Sequence, residues 1–226
     1  LALRLFIGNK VYSSWSLRGW LAVRQSGLPF EEIVAPLYDD SWIERRETPD
    51  FAPSNGKVPI LWDGDVPVWE SLAIIDYLAD KVGADRFWPA EPAARALARS
   101  MASEMHAGYQ ALRQQHTMNM RHVYPPEPLT PEVAENVDRI ATLWDQARTR
   151  FGQGGDYLFG AFGAVDIMFA PVVTRFRTWS IPLPSAASAY CDAIRAHPFM
   201  VEWAAGADTE SWVIDRFEKP ADGSPQ

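Results

Sequence analysis

Apolar and polar positions follow two different rhythms along the chain. The run Leu3-Arg4-Leu5-Phe6-Ile7 predicts a short strand. After a polar loop from Gly8 to Ser14, the apolar residues Leu17, Trp20 and Leu21 fall at i, i+3 and i+4, which is helical spacing. Gly27 then stands where a helix C′ glycine would. Residues 30–35 predict a second strand, and Ser41 to Arg46 a short helix closed before Pro49. Val58 to Trp62 and Val66 to Trp69 predict a third and a fourth strand, and the Asp63-Gly64 turn between them is a hairpin signal. From Ser71 onward Leu72, Ile75, Ala79 and Val82 predict one face of a helix that ends at Gly83. The order βαβ then ββα describes a small mixed α/β unit.

Strand signals stop after the proline-containing connector 83–92. Ala94, Leu97, Met101, Met105 and Leu112 predict one long helix with a single apolar stripe, and Val133 to Phe151 predict another. Pro125, Pro126 and Pro128 break the connection between them. Val165 to Phe176 is apolar nearly all round and predicts a buried central helix, with a kink expected at Pro171. Shorter helices are expected over Ser185–Ala196 and Phe199–Ala205, with a loose tail after Lys219. The expected organisation is an α/β unit over residues 1–82, a linker over 83–92 and an all-helical unit over 93–226. No basic stretch precedes a long apolar run at the start, so no signal peptide is expected. No apolar run approaches the roughly eighteen residues of a membrane span.

Composition narrows the partners. The chain is 47% apolar and 12% aromatic, with ten Trp, which argues against a disordered or low-complexity scaffold. A net charge of −8, with acidic and basic residues mixed in both halves, predicts neither a nucleic-acid nor an anionic-membrane partner. The one cysteine, Cys191, forms no internal disulfide and suits a reducing, cytoplasmic setting. His116 and His122 lie at no ligand spacing, so no metal is assigned.

Three loop clusters carry candidate chemistry. Tyr12-Ser13-Ser14-Trp15-Ser16 lies where a strand gives way to a helix, whose free N–H groups favour an anion. A serine hydroxyl there could donate to a thiolate, or could simply cap the helix. Lys57-Val58-Pro59 opens a strand with a proline that cannot donate to the ladder. Were its bond cis, Val58 would offer its backbone to an extended peptide, although X–Pro bonds favour trans. Glu70 and Ser71 place an acid and a hydroxyl at a helix start, which suits an α-amino acid head group or plain Ser capping.

Together these clusters, followed by an all-helical half, resemble the cytosolic glutathione S-transferase superfamily over residues 2 to 217. Ser13-Ser14-Trp15-Ser16-Leu17-Arg18 is similar to the zeta-class motif Ser-Ser-Cys-Ser-Trp-Arg, with Trp15 in place of its Cys and Leu17 in place of its Trp. The resemblance implies a thioredoxin-like N-terminal domain with a helical C-terminal domain, reduced glutathione as cosubstrate, and a homodimer. It further implies a cis Val58-Pro59 bond. Ser13 or Ser14 would hold the glutathione sulfur, with Trp15 beside them in the loop. Val58 would pair with the cysteinyl backbone, Glu70 and Ser71 would hold the γ-glutamyl end, and Lys57 would approach a carboxylate. The family's second-domain helix start reads Gly163-Ala164-Val165-Asp166 here, which keeps only the Asp half of a capping box.

In this fold the first long helix lines the electrophile site. His106, Tyr109 and Arg113, at i, i+3 and i+7, would share one helix face and meet the second substrate. The expected function is a transferase in which a serine-stabilised thiolate attacks a small-molecule electrophile. The alternatives are a glutathione-dependent cis-trans isomerase of the maleylacetoacetate isomerase type and a non-catalytic binding protein of the same fold.

Overall fold

The computed structural model describes residues 2–219. The expected loose tail beyond Lys219 lies outside them. The first half runs β1 (Leu3–Ile7), α1 (Ser14–Ser26), β2 (Phe30–Val34), α2 (Trp42–Arg46), β3 (Ile60–Asp63), β4 (Val66–Trp69) and α3 (Ser71–Val82). Its four strands lie in the order β2-β1-β3-β4, with β1 parallel to β2 and antiparallel to β3, and β3 antiparallel to β4. Alternation along β1 sorts the two faces. Leu3, Leu5 and Ile7 join the main core with residues of α1 and α3, while Phe6 turns to the opposite face with Trp42 and Phe51.

Local signals explain most element ends. Gly27 adopts φ 72° and closes α1 with its N–H on the Arg24 carbonyl. The ladder of β3 begins at Ile60 and not at Val58, because Pro59 has no N–H and its peptide bond with Val58 is cis. On α3 the buried face is Ser71, Ile74, Ile75, Leu78 and Ala79. Leu72 and Val82, expected on that face, sit at its half-exposed margins, since both sheet and helical neighbours claim the Ile74–Leu78 stripe.

The second half is helical: α4 (Pro92–Ala107), α5 (Gln110–Gln115), α6 (Pro131–Phe151), α7 (Ala164–Thr178), α8 (Ser185–Ala196) and α9 (Pro198–Asp208). The single helix expected from Ala94 to Leu112 is two. Gly108 leaves helical geometry and Tyr109 takes a left-handed φ of 62°, so α5 starts afresh in a new direction. Helix α7 is the centre of this half, with every residue but Arg177 buried. It also meets the first half, where the Arg18 Nε–H of α1 donates to the Met168 carbonyl at 2.8 Å.

At the start of α7 the Asp166 carboxylate accepts from the Gly163 N–H (2.9 Å), the Leu158 N–H (3.2 Å) and the Tyr190 hydroxyl (2.9 Å). Gly163 has no side chain to return the bond, and its Cβ position would lie 2.7 Å from the Phe87 carbonyl oxygen. The half box is therefore imposed by close backbone packing. None of the described helices is long and apolar enough to cross a membrane.

Candidate active site

A cavity of about 240 Å³ opens between the first turns of α1 and α3. Trp15, Lys57, Val58, Pro59, Glu70 and Ser71 all line it, so residues 56 positions apart in sequence meet at one place. Trp69 and Ser54 line it as well. Ser54 went unread in the sequence, although its place three residues before Lys57 was a turn signal. Its hydroxyl donates to the Lys57 carbonyl at 2.6 Å and accepts from the Lys57 N–H at 3.1 Å, which fixes the loop ahead of the cis bond. Behind that loop, Gly19 lets α1 approach closely, since a Cβ there would stand 2.7 Å from the Pro59 ring.

Glu70 is the residue before α3 and has φ 65°, a strained value for a side-chain-bearing residue. Its carboxylate is half-exposed and lies 3.5 Å from His106 Nε2. Ser71 does not cap the helix: it is the first helical residue, fully buried, and its hydroxyl points to the Met168 sulfur at 3.8 Å. The α3 N-terminus thus carries no side-chain cap and keeps its positive end for an anion.

The two loop serines differ. Ser13 is the N-cap of α1, accepting from the Ser16 N–H at 3.3 Å and meeting the Ser16 hydroxyl at 2.7 Å. Ser14, 7% exposed, accepts from the Arg175 guanidinium of α7 at 3.2 Å. The Tyr12 hydroxyl is turned away, donating to Glu218 at 2.5 Å, and burial followed by that carboxylate pushes its pKa up to about 12.

Three arginines gather behind Trp15. Arg18 and Arg113 place their guanidiniums 4.6 and 4.9 Å from its ring centroid. Arg18 is fully buried, and its two Nη atoms have no hydrogen-bond partner among the described residues. Burial, then Arg113 and Arg175, push its pKa well down. Burial brings Arg113 down to about 10, and burial with Arg113 brings Arg175 down to about 9, so both stay charged at neutral pH. Arg18 and Arg175 were missed in the sequence. An arginine inside Val172-Val173-Thr174-Arg175-Phe176 was the available signal.

The predicted strip of His106, Tyr109 and Arg113 does not exist as one face. His106 packs edge-on against Trp15 at 5.3 Å, and burial holds its pKa below the ordinary value despite Glu70. Arg113 folds back over the α4 end, donating to the Gly108 carbonyl at 2.8 Å and to that of Met105. Tyr109 is off the cavity: the turn at Gly108 sends its hydroxyl to Glu104 at 2.7 Å, beside Arg139. Cys191 is buried, and burial raises its thiol to about 12.

Residues 12–81 match the family model for the glutathione S-transferase N-terminal domain, and residues 130–206 match the model for the C-terminal domain. The chain belongs to the glutathione S-transferase superfamily. Among curated relatives it is 26% identical to glutathione S-transferase theta-1 of Gallus gallus, over 81% of this chain and 75% of that protein. In fold this superfamily member resembles a theta class glutathione S-transferase from Xanthomonas axonopodis pv. citri, solved with glutathione bound (TM-score 0.63, 23% identity, 92% of this chain and 98% of the other). It also resembles a glutathione transferase homolog from Burkholderia GL BGR1 with bound glutathione (TM-score 0.67, 19% identity, 93% and 100%). The thioredoxin-like domain followed by a helical domain is the glutathione S-transferase architecture.

Proposed function

We propose that the protein is a serine-type glutathione transferase in which Ser14 stabilises the thiolate of bound glutathione. One observation carries the choice of serine. The Ser13 hydroxyl is engaged on both sides with Ser16, whereas Ser14 has a lone pair filled by Arg175 and its own proton left to donate. The hydroxyl also sits in the first turn of α1, where the helix end favours negative charge. The thiolate sulfur forms a bond to carbon of a small-molecule electrophile while the leaving group departs with its electron pair.

The binding roles follow the cavity. The Val58 backbone, at the cavity wall, pairs with the cysteinyl backbone of the tripeptide. Glu70 takes the γ-glutamyl ammonium while Ser71 and the uncapped α3 start take its carboxylate. Lys57 at the rim takes the other carboxylate. Trp15, standing where the zeta motif has cysteine, makes conjugation the reading over zeta-type isomerisation. A homodimer in the cytoplasm completes the proposal.

The test is an ultraviolet titration of the thiolate in the protein–glutathione complex. Ser14→Ala should raise the bound thiol pKa by about two units, as expected for loss of a charge-assisted bond, and Ser13→Ala should leave it in place. The reverse ranking would overturn the assignment, and absence of heat on mixing with millimolar glutathione would overturn the function.

A further inference from the structure

We infer that Arg175 of α7 is a positioning residue that acts through Ser14 to keep the sulfur of bound glutathione ionised, with Arg18 and Arg113 adding to its field. The inference rests on the Ser14 reading above and adds residues from the opposite half of the chain to the chemistry of the first.

The observations are geometric. Arg175 is buried and divides its guanidinium between the Ser14 hydroxyl and the His116 carbonyl, both at 3.2 Å. A guanidinium has no lone pair, so Ser14 can only accept from it and must turn its proton elsewhere. Arg18 brings a second buried guanidinium whose Nη atoms lack a partner among the described residues, and Arg113 brings a third that is half-buried. The groups facing the cluster are Ser14 and Arg18 from α1, His106 from α4, Arg113 from α5 and His116 at the end of α5. The histidines are held below their ordinary pKa by burial, so they are neutral at pH 7. Glu70 and Glu127 act on those histidines, and among the described residues no carboxylate acts on Arg18, Arg113 or Arg175 themselves.

A buried Arg175 charge with the half-buried Arg113 charge beside it, and no counter-ion acting on either among the described residues, is unfavourable in the ligand-free chain. An anion at the Ser14 hydroxyl supplies the missing sign, and on the reading above that anion is the glutathione sulfur. The field then lowers the energy of the thiolate and not of the neutral thiol, which is a shift of acidity and not a gain of general affinity.

The experiment measures thiol pKa in the glutathione complex for wild type, Arg175→Lys, Arg175→Gln and Arg113→Gln. Arg175→Gln should raise the bound thiol pKa by about one unit and move the acid limb of the kcat/KM profile by the same amount. Arg113→Gln should produce a smaller shift in the same direction, and Arg175→Lys should restore most of the wild-type value. Calorimetric binding of S-methylglutathione, which has no thiol to ionise, reports whether each variant keeps its folded site. A merely structural role for Arg175 would weaken that binding and leave the thiol pKa of the bound fraction unmoved, which overturns the inference. An unmoved pKa with a selective KM rise for carboxylate-bearing electrophiles would assign the charge to the second substrate and also overturn it. A pKa shift in Ser14→Ala without one in any Arg175 variant refutes this inference alone, whereas no glutathione binding by the wild type refutes the reading beneath it.

Discussion

The chain contains two helix starts that are buried and polar, and they are resolved in opposite ways. At the start of α7, Asp166 brings its own negative charge and three donors meet it. At the start of α1 no acidic residue lies in the first turn, and Arg175 approaches from outside with a positive charge. The first arrangement is complete without a ligand, which is what a folding element needs. The second has donors and cations in excess of acceptors, which is what an anion-binding element needs. On the proposed function the same local geometry, a helix beginning beneath the surface, serves stability at one place and chemistry at the other, and the sign of the nearby side chain decides which.

Substitutions should separate the two. The largest effect is expected from Ser14→Ala, with kcat/KM falling on the order of a hundredfold and thermal stability nearly unchanged. Asp166→Ala should do the converse: about 3 kcal/mol lost in chemical denaturation, because two backbone N–H groups and the Tyr190 hydroxyl are left buried and unpaired, with glutathione affinity retained in the folded fraction. Arg18→Met should raise the Tm of the ligand-free protein by about 2–4 °C in differential scanning calorimetry, since a side chain of similar length replaces a buried guanidinium whose Nη atoms have no partner among the described residues. Ser13→Ala should cost about 1 kcal/mol as a lost N-cap, with turnover within a few-fold of wild type.

The smallest effect is a pH dependence. Burial raises the Asp166 carboxyl from 3.8 to about 6, against the hydrogen bonds from Leu158, Gly163, Tyr190 and its own backbone that lower it. Between those values the folded chain binds more protons at this site than the unfolded chain. Its contribution to stability is therefore full below about pH 4 and declines as pH rises through about 6. Asp166→Asn should flatten that part of a Tm-against-pH curve.

Much of the first half was legible because each element is bounded by local chemistry. Gly27, the Asp63-Gly64 turn and Gly83 mark ends that short-range conformation requires, and the structure has its elements stop there. The break before α5 was hidden by the pattern itself. Met105 and Leu112 are seven residues apart, a spacing that one continuous helix and two abutting helices both satisfy, and only the left-handed Tyr109 tells them apart. The cavity residues were legible as separate clusters, each with an ordinary capping role available. Ser14 against Ser13 was not legible, since the difference lies in a partner 161 residues away. Arg18 and Arg175 were hidden for the same reason: a sequence shows a charge, and only packing shows that it is sealed from water with no carboxylate beside it.

The close approach of Gly19 to the Pro59 ring couples the middle of α1 to the loop that carries Val58. Because a methyl group at position 19 would collide with the ring at 2.7 Å, enlarging that residue should displace the peptide-pairing strand edge. Selection on cosubstrate grip would then act on residue size one and a half turns away from any reacting atom.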